Sequence, residues 1–118
     1  MDISDIIDFD LEGMDCEEFK TPEEKCLSGQ PLQRTWNLYS APDERFFSGI
    51  WEAEPGRWRV NYTEFEYFRI LSGRSILRDN QGGQRELGPG TEVVLPAGFE
   101  GDWEVLEKTR KVYVIYEP

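Results

Sequence analysis

The sequence contains no histidine, and its only cysteines are Cys16 and Cys26. Zinc sites in proteins are built mainly from cysteine and histidine, and the separation of the two cysteines matches no zinc-ligand spacing. The lack of histidine excludes a histidine-based metal centre and leaves acid–base chemistry to other side chains. We expect both thiols to be reduced, since the chain carries no recognisable secretion signal.

Long apolar runs and an excess of basic residues are also missing. No run approaches the ~20 apolar residues that a membrane helix needs, and the segment Met1–Asp5 is acidic where a secretory signal would be basic. A soluble, cytoplasmic protein with no membrane partner is therefore expected. The 13 lysines and arginines stand against 24 acidic residues. This balance disfavours a nucleic-acid partner, because phosphate binding needs a basic face.

The acidic charge is concentrated near the N-terminus. Residues 1–24 carry ten acidic residues and one lysine, whereas residues 25–118 carry fourteen acidic and twelve basic residues. A length of 118 residues is typical of a single domain. We predict an acidic N-terminal extension over residues 1–30, followed by the folded domain over residues 31–118.

Short apolar segments between glycine- and proline-containing turns indicate an all-β fold. Within the acidic extension, Ile7, Phe9 and Leu11 alternate with acids, which predicts a strand added to a sheet edge of the same or a partner subunit. Thr21 precedes Pro22 and is predicted to be the N-cap of one short helical turn. The other strands are predicted over residues 35–40, 46–53, 58–72, 75–77, 84–87, 91–95, 102–106 and 111–116.

Two stretches of the chain carry a family resemblance. In the second of them, Gly90 is followed by five residues, Pro96, one residue and Gly98, and the last two belong to a characteristic segment over residues 96–105. This stretch resembles the cupin superfamily, and within it the ureidoglycine aminohydrolase-type cupin domain family, which includes ethanolamine-utilisation cupins. The resemblance covers about residues 30–117. It implies a cupin-type small β-barrel (jelly roll) of two facing antiparallel sheets, and it implies a homodimer.

The first cupin motif places a glutamate seven residues before a glycine, which selects Glu66 before Gly73. The family's metal centre uses three histidines and one carboxylate, and the corresponding positions here are Val60, Tyr62, Glu66 and Gly101. One carboxylate does not hold a transition metal, because the nitrogen and sulfur ligands that such ions favour are missing. We therefore expect no bound metal and no cofactor.

Glu66 is the leading candidate for a functional side chain. Val60, Tyr62, Glu66 and Phe68 have the same parity on one long predicted strand, so all four side chains point to one face. Burial among aromatic side chains disfavours the charged form of a glutamate. This environment suits Glu66 to general acid or base catalysis, with Tyr62 as a hydrogen-bond donor or proton relay.

A structural role for Glu66 is the alternative, as the partner of a buried arginine, namely Arg59, Arg69 or Arg78. The basic pair at residues 110–111 is interpreted as a solvated strand edge or a salt bridge. Aromatic and acidic residues near the two motifs could line a ligand pocket, although core packing is an equal alternative for the two tryptophans among them. These candidate ligand-binding residues are Trp58, Glu64, Phe68, Phe99 and Trp103.

Two functions fit these residues. The first is a metal-independent module that binds a small polar metabolite in the barrel interior. The second is a metal-free enzyme, a lyase, isomerase or amidohydrolase-like protein, that acts on a small nitrogenous or sugar-like metabolite with Glu66 as general acid or base. The sequence favours the binding module and leaves open whether the protein is an enzyme, since a fold alone does not carry a function.

Overall fold

The computed structural model describes residues 1–118, and antiparallel β-strands form most of it. Its only helices are two single 3₁₀ turns, Ile3–Asp5 and Glu23–Lys25. The nine strands are β1 (Glu17–Lys20), β2 (Cys26–Ser28), β3 (Leu32–Ser40), β4 (Phe46–Ala53), β5 (Gly56–Asn61), β6 (Phe65–Asp79), β7 (Gln84–Leu87), β8 (Glu92–Leu95) and β9 (Glu100–Tyr116). The all-β prediction is confirmed. No helix has both the length and the apolar composition to cross a membrane.

The two longest strands, β6 and β9, connect the whole fold. They pair from Phe65 opposite Tyr116 at one end to Asp79 opposite Gly101 at the other. Their register shifts several times within residues 70–75, and irregularities of this kind bend a strand and increase its twist. Because of this bend, the two halves of each strand belong to different layers.

The remaining strands extend these two layers. The first layer has the order β1-β3-β4-β9-β6-β8, and the second has the order β2-β5-β9-β6-β7. All pairs are antiparallel, and the hydrogen bonding is continuous through β6 and β9. The prediction of a small barrel made of two facing antiparallel sheets is confirmed.

The N-terminal third differs from its predicted local structure. The strand predicted over residues 7–11 is wrong, because this segment forms no strand, and β1 and β2 pair with β3 and β5 instead. The predicted N-cap at Thr21 is also wrong. Thr21 is fully buried, and its backbone N–H and its hydroxyl donate to the Pro31 carbonyl at 2.9 and 2.7 Å. The 3₁₀ turn begins after Pro22 instead.

Large aromatic side chains fill the space between the layers. Trp103 and Phe68 are 1% and 0% exposed, and their ring centroids lie 5.5 Å apart. Trp51 packs edge-on against Trp103 at 5.4 Å. Tilted and edge-on pairs are the favoured arrangements of aromatic rings. The buried core consists of Trp51, Ala53, Trp58, Phe68, Ile70, Leu77, Leu87, Leu95, Trp103, Val105 and Tyr113.

Gly73 lies where β6 changes register, and it allows β9 to approach closely. Its φ of +87° lies in a region that side-chain-bearing residues rarely adopt. A Cβ atom at this position would also collide with the carbonyl oxygen of Lys108 on β9. The bend between the two layers therefore depends on the absence of a side chain at residue 73.

Replacing Gly73 with alanine is expected to destabilise the barrel more than the same replacement at Gly82. Gly82 shares the φ of +87° but has no atom near its missing Cβ, so Gly82→Ala should cost about 1–2 kcal/mol of backbone strain. Gly73→Ala should cost a further ~1–3 kcal/mol because it also overpacks the bend. Urea unfolding of both variants measures this difference. Equal losses of unfolding free energy would contradict the role given to Gly73.

Candidate functional site

The barrel interior contains a cavity of about 200 Å³ between the two layers. Residues from β3, β4, β5, β6 and β9 contribute to its wall, together with one residue that follows β5. Ten side chains line it: Gln33, Thr35, Trp51, Trp58, Tyr62, Glu66, Trp103, Lys111, Tyr113 and Ile115. The wall is mainly aromatic, and its charged groups are one carboxylate and one ammonium.

Those two charged groups form a buried ion pair. The Nζ atom of Lys111 lies 2.6 Å from the Oε2 atom of Glu66, and the two side chains are only 6% and 4% exposed. The two residues lie on either side of the cross-strand pair formed by Phe68 and Tyr113, so each reaches the other diagonally across β6 and β9. Neither charge has water to solvate it fully, and each therefore depends on the other.

Three aromatic rings enclose the Lys111 ammonium. Its Nζ atom lies 4.6 Å from the ring centroid of Trp51, 4.7 Å from that of Trp103 and 4.8 Å from that of Phe68. We call these three residues the aromatic cage. The electron-rich face of each ring attracts a cation, by about 2 kcal/mol where water is excluded. The aromatic cage and Glu66 together hold a fixed positive charge at the wall of the cavity.

A chain of buried hydrogen bonds fixes one wall of the aromatic cage. The indole N–H of Trp51 donates to Gln33 Oε1 at 3.0 Å, and Gln33 Nε2 donates to the Thr21 hydroxyl at 2.9 Å. Thr21 in turn is bonded to Pro31. Since Gln33 uses both ends of its amide in this way, it orients Trp51 and leaves little hydrogen-bonding capacity for a ligand.

Tyr62 contributes a phenol to the cavity. Burial raises the pKa of Tyr62 well above its usual value, and the negative charges of Glu66 and then Glu64 raise it further. The phenol therefore stays protonated at neutral pH and can donate a hydrogen bond. Its hydroxyl has no hydrogen-bond partner within the chain, and its ring packs against Phe99 with centroids 6.4 Å apart.

Most of the predicted site residues meet at this cavity. Glu66, Tyr62, Trp58 and Trp103 line it, and Phe68 lies in its aromatic cage. The two remaining candidates do not reach the wall. Glu64 lines a neighbouring depression, and Phe99 lies behind Tyr62. Their predicted roles in ligand binding stay predictions.

The expectation that an arginine would pair with Glu66 is wrong, because its partner is Lys111. Arg59 and Arg69 are exposed, and Arg78 pairs with Asp102 and Glu104 instead. Of the two interpretations of residues 110–111, the salt bridge is confirmed, because Lys111 pairs with Glu66 and Arg110 with Glu52, and the solvated strand edge is wrong for Lys111, which is 5% exposed. Lys111 shares its parity on β9 with Tyr113 and Ile115, and all three line the cavity.

The four positions that correspond to metal ligands do not form a metal site. Val60 and Gly101 lie opposite each other on β5 and β9, and neither has a side-chain donor. Tyr62 is a protonated phenol, and Glu66 is bound to an ammonium at 2.6 Å. No group of three or more metal-ligating side chains occurs elsewhere in the chain. A divalent transition metal would need nitrogen or sulfur donors that this cavity does not present.

A model of a protein family described as the EutQ-like cupin domain matches residues 40–113, which is more than half of the chain. No curated protein matches the chain.

Several solved structures share the fold. A DUF861-family protein of unknown function from Pseudomonas syringae pv. tomato superposes with a TM-score of 0.78 at 19% identity, over 87% of this chain and 45% of that one. The EutQ protein of Clostridium difficile gives 0.66 at 19% identity, over 84% and 81% of the two chains. The ectoine synthase of P. lautus gives 0.65 at 17% identity, over 73% and 64%. The chain thus spans less than half of the Pseudomonas syringae protein, and identities this low show the fold alone.

The contributions of Lys111 and Glu66 to the free energy of unfolding are expected to be strongly coupled. Glu66→Gln or Lys111→Met alone should lower the free energy of unfolding by about 3–5 kcal/mol, because each leaves an unpaired buried charge. The double variant removes both charges and should lose clearly less than the sum of the two single losses. Urea unfolding of the four proteins in this cycle measures the coupling.

The exposed pair of Arg74 and Glu86 provides the matched control for this cycle. Its atoms lie 3.5 Å apart, and its side chains are 52% and 74% exposed. Removing these two charges singly and together should give a coupling of at most about 1 kcal/mol. Additive losses in the Lys111–Glu66 cycle would show that the two buried charges do not depend on each other.

Proposed function

The chain belongs to the EutQ-like cupin domain family, and from this we propose that its barrel binds a small polar metabolite in the interior cavity without a resident metal ion. The observation that carries this proposal is the cavity of about 200 Å³, which brings a fixed Lys111–Glu66 pair together with unpaired hydrogen-bonding groups. A mainly apolar cavity with a few convergent polar groups is the usual form of a small-molecule site.

The unpaired groups favour a ligand with acceptor oxygens. The buried indole N–H of Trp103 has no hydrogen-bond partner in the chain, and the hydroxyls of Tyr62 and Thr35 and the indole N–H of Trp58 also line the cavity. Lys111 adds ammonium N–H groups beside Glu66. Because donors outnumber free acceptors, we expect the ligand to carry a carbonyl or carboxylate oxygen.

The size of the cavity limits the ligand to a few heavy atoms. Pockets for drug-sized molecules measure about 300–1,000 Å³, and this one measures about 200 Å³. The aromatic rings of Trp58 and Trp103 in its wall suit the apolar part of such a molecule. A metabolite with a short carbon skeleton and one polar end fits both the size and the lining.

Lys111 accounts for binding without a metal. In a metal-containing site, a cation polarises the ligand oxygen. Here the ammonium of Lys111 supplies a positive charge next to Glu66, the one metal-ligand position that keeps a carboxylate. The charge is fixed by the aromatic cage and needs no ion from solution.

A metal-free enzyme that uses Glu66 and Tyr62 is the second candidate function. It is favoured by the distance of 2.6 Å between Lys111 Nζ and Glu66 Oε2, which brings an acid and a base together at the cavity wall. The homodimer and the cytoplasmic location expected from the sequence stay predictions.

Thermal unfolding against a panel of small ureides, amino acids, keto acids, sugar acids and amino alcohols tests the binding proposal. A ligand at a hundred times its dissociation constant adds about 2.7 kcal/mol, which should raise the Tm of this domain by several degrees. Compounds with carbonyl or carboxylate oxygens should give the largest shifts.

Two threonine variants locate the bound ligand. Thr35→Phe fills the cavity and should abolish the shift, whereas the same substitution at Thr63, which is exposed and outside the cavity, should preserve it. The proposal fails when no compound shifts the Tm, or when Thr35→Phe leaves the shift intact.

A further inference from the structure

We propose that Lys111 is an imine-forming amine that reacts reversibly with a small aldehyde or ketone inside the barrel. This inference rests on the proposed function, because it requires that small carbonyl compounds enter the cavity. It adds a covalent step at the same site and assigns a catalytic role to a residue that no metal-centred chemistry would use.

The position of Lys111 separates it from every other lysine of the chain. Lys20, Lys25 and Lys108 are exposed, whereas Lys111 is 5% exposed and lines the cavity. Amines that form Schiff bases in proteins are typically desolvated in apolar pockets. Lys111 is desolvated in this way, and its neutral form requires that Glu66, whose Oε2 lies 2.6 Å from Nζ, takes its proton.

Glu66 can take and return the proton that imine formation requires. The Lys111 ammonium first gives a proton to Glu66, whose Oε2 lies 2.6 Å away. The neutral amine then attacks the carbonyl carbon, a C–N bond forms as the C=O π bond breaks, and the proton that the nitrogen loses passes to the carbonyl oxygen to give a carbinolamine. Glu66 next supplies its proton to the departing hydroxyl, so that water leaves and an iminium remains. The balance is one ammonium and one carbonyl compound giving one iminium and one water.

The aromatic cage favours imine formation because the nitrogen of Lys111 carries one positive charge before and after the reaction. Both the ammonium before the reaction and the iminium after it carry one positive charge beside Glu66. The rings of Trp51, Phe68 and Trp103, at 4.6–4.8 Å from Nζ, stabilise a cation in either form. Forming the iminium therefore does not require the wall to accept a new charge.

Tyr62 provides the donor for the reacting oxygen. Its phenol lines the same cavity and has no hydrogen-bond partner within the chain. Burial, followed by the charges of Glu66 and Glu64, keeps its pKa well above the usual value. A protonated phenol can donate to the carbonyl oxygen and to the carbinolamine hydroxyl.

Reductive trapping tests the inference on the intact protein. Wild-type protein is treated at neutral pH with limiting propanal and sodium cyanoborohydride, which converts an iminium into a stable propylamine, and each lysine is followed by peptide mass mapping. Lys111 should be propylated at least tenfold faster than Lys108 despite its burial. In Glu66→Gln the rate at Lys111 should fall at least tenfold, with the rate at Lys108 unchanged.

Two arginine variants and one unreactive ligand complete the test. Lys111→Arg keeps the positive charge and should lose the fast-reacting site, whereas Lys108→Arg should keep it; circular dichroism verifies that each is folded.

Propionate has the same carbon skeleton as propanal but forms no imine. Propionate binding without fast modification of Lys111 would overturn the imine and leave the proposed function standing. Absence of fast modification, together with no Tm shift from propionate or any compound of the panel, would overturn the two together.

Discussion

Two opposite charges are buried in this barrel of 118 residues, and they constrain how the side chains of the interior pack. An ammonium and a carboxylate each lose several kcal/mol of hydration on burial, and only close, well-oriented contacts restore it. In this chain the contact of 2.6 Å between Lys111 and Glu66 provides the first part of that compensation. The three rings around Nζ provide the second.

The rest of the interior is arranged to hold this pair in place. Gln33 uses both ends of its amide to connect Trp51 with Thr21, so a segment near the N-terminus helps to orient one ring of the aromatic cage. β6 and β9 carry the two charges, and their bend at Gly73 lets one pair of strands contribute to both layers. The same architecture leaves a cavity next to the charges. Stability and binding therefore depend on the same few contacts.

The sequence was sufficient to predict the fold and some of the side chains that line the cavity. Glu66 and Tyr62 both line the cavity together with Trp58 and Trp103, although the single strand predicted over residues 58–72 is wrong, because β5 ends at Asn61, β6 begins at Phe65 and Tyr62 lies between them. Glu66 and Phe68 were predictable because side-chain alternation along β6 is local information, and Trp58 and Trp103 were predictable because they flank the two motifs. The family motif then added the position of that strand within the barrel.

The partner of Glu66 was not predictable by the same reasoning. Lys111 lies on β9, where residues 111, 113 and 115 alternate with Val112 and Val114. Both sets contain apolar residues that could face the interior, so parity alone does not decide which set faces inwards. Pairing between distant strands fixes that choice, and no local pattern in the chain encodes it. The contribution of Gln33 depends on a hydrogen-bond chain to Thr21 that only the folded barrel assembles.

The charged, caged state of Lys111 is the central claim, and nuclear magnetic resonance of the lysine side chains tests it directly. In a ¹⁵N–¹H spectrum of the side-chain ammonium groups, the three exposed lysines should exchange rapidly with water. Lys111 should give a protected ammonium signal that the surrounding ring faces displace upfield, and Glu66→Gln should change this signal while leaving those of Lys20, Lys25 and Lys108 in place. Four equally exchanging signals, or a Lys111 signal without displacement, would contradict the buried ion pair and the cavity chemistry that depends on it.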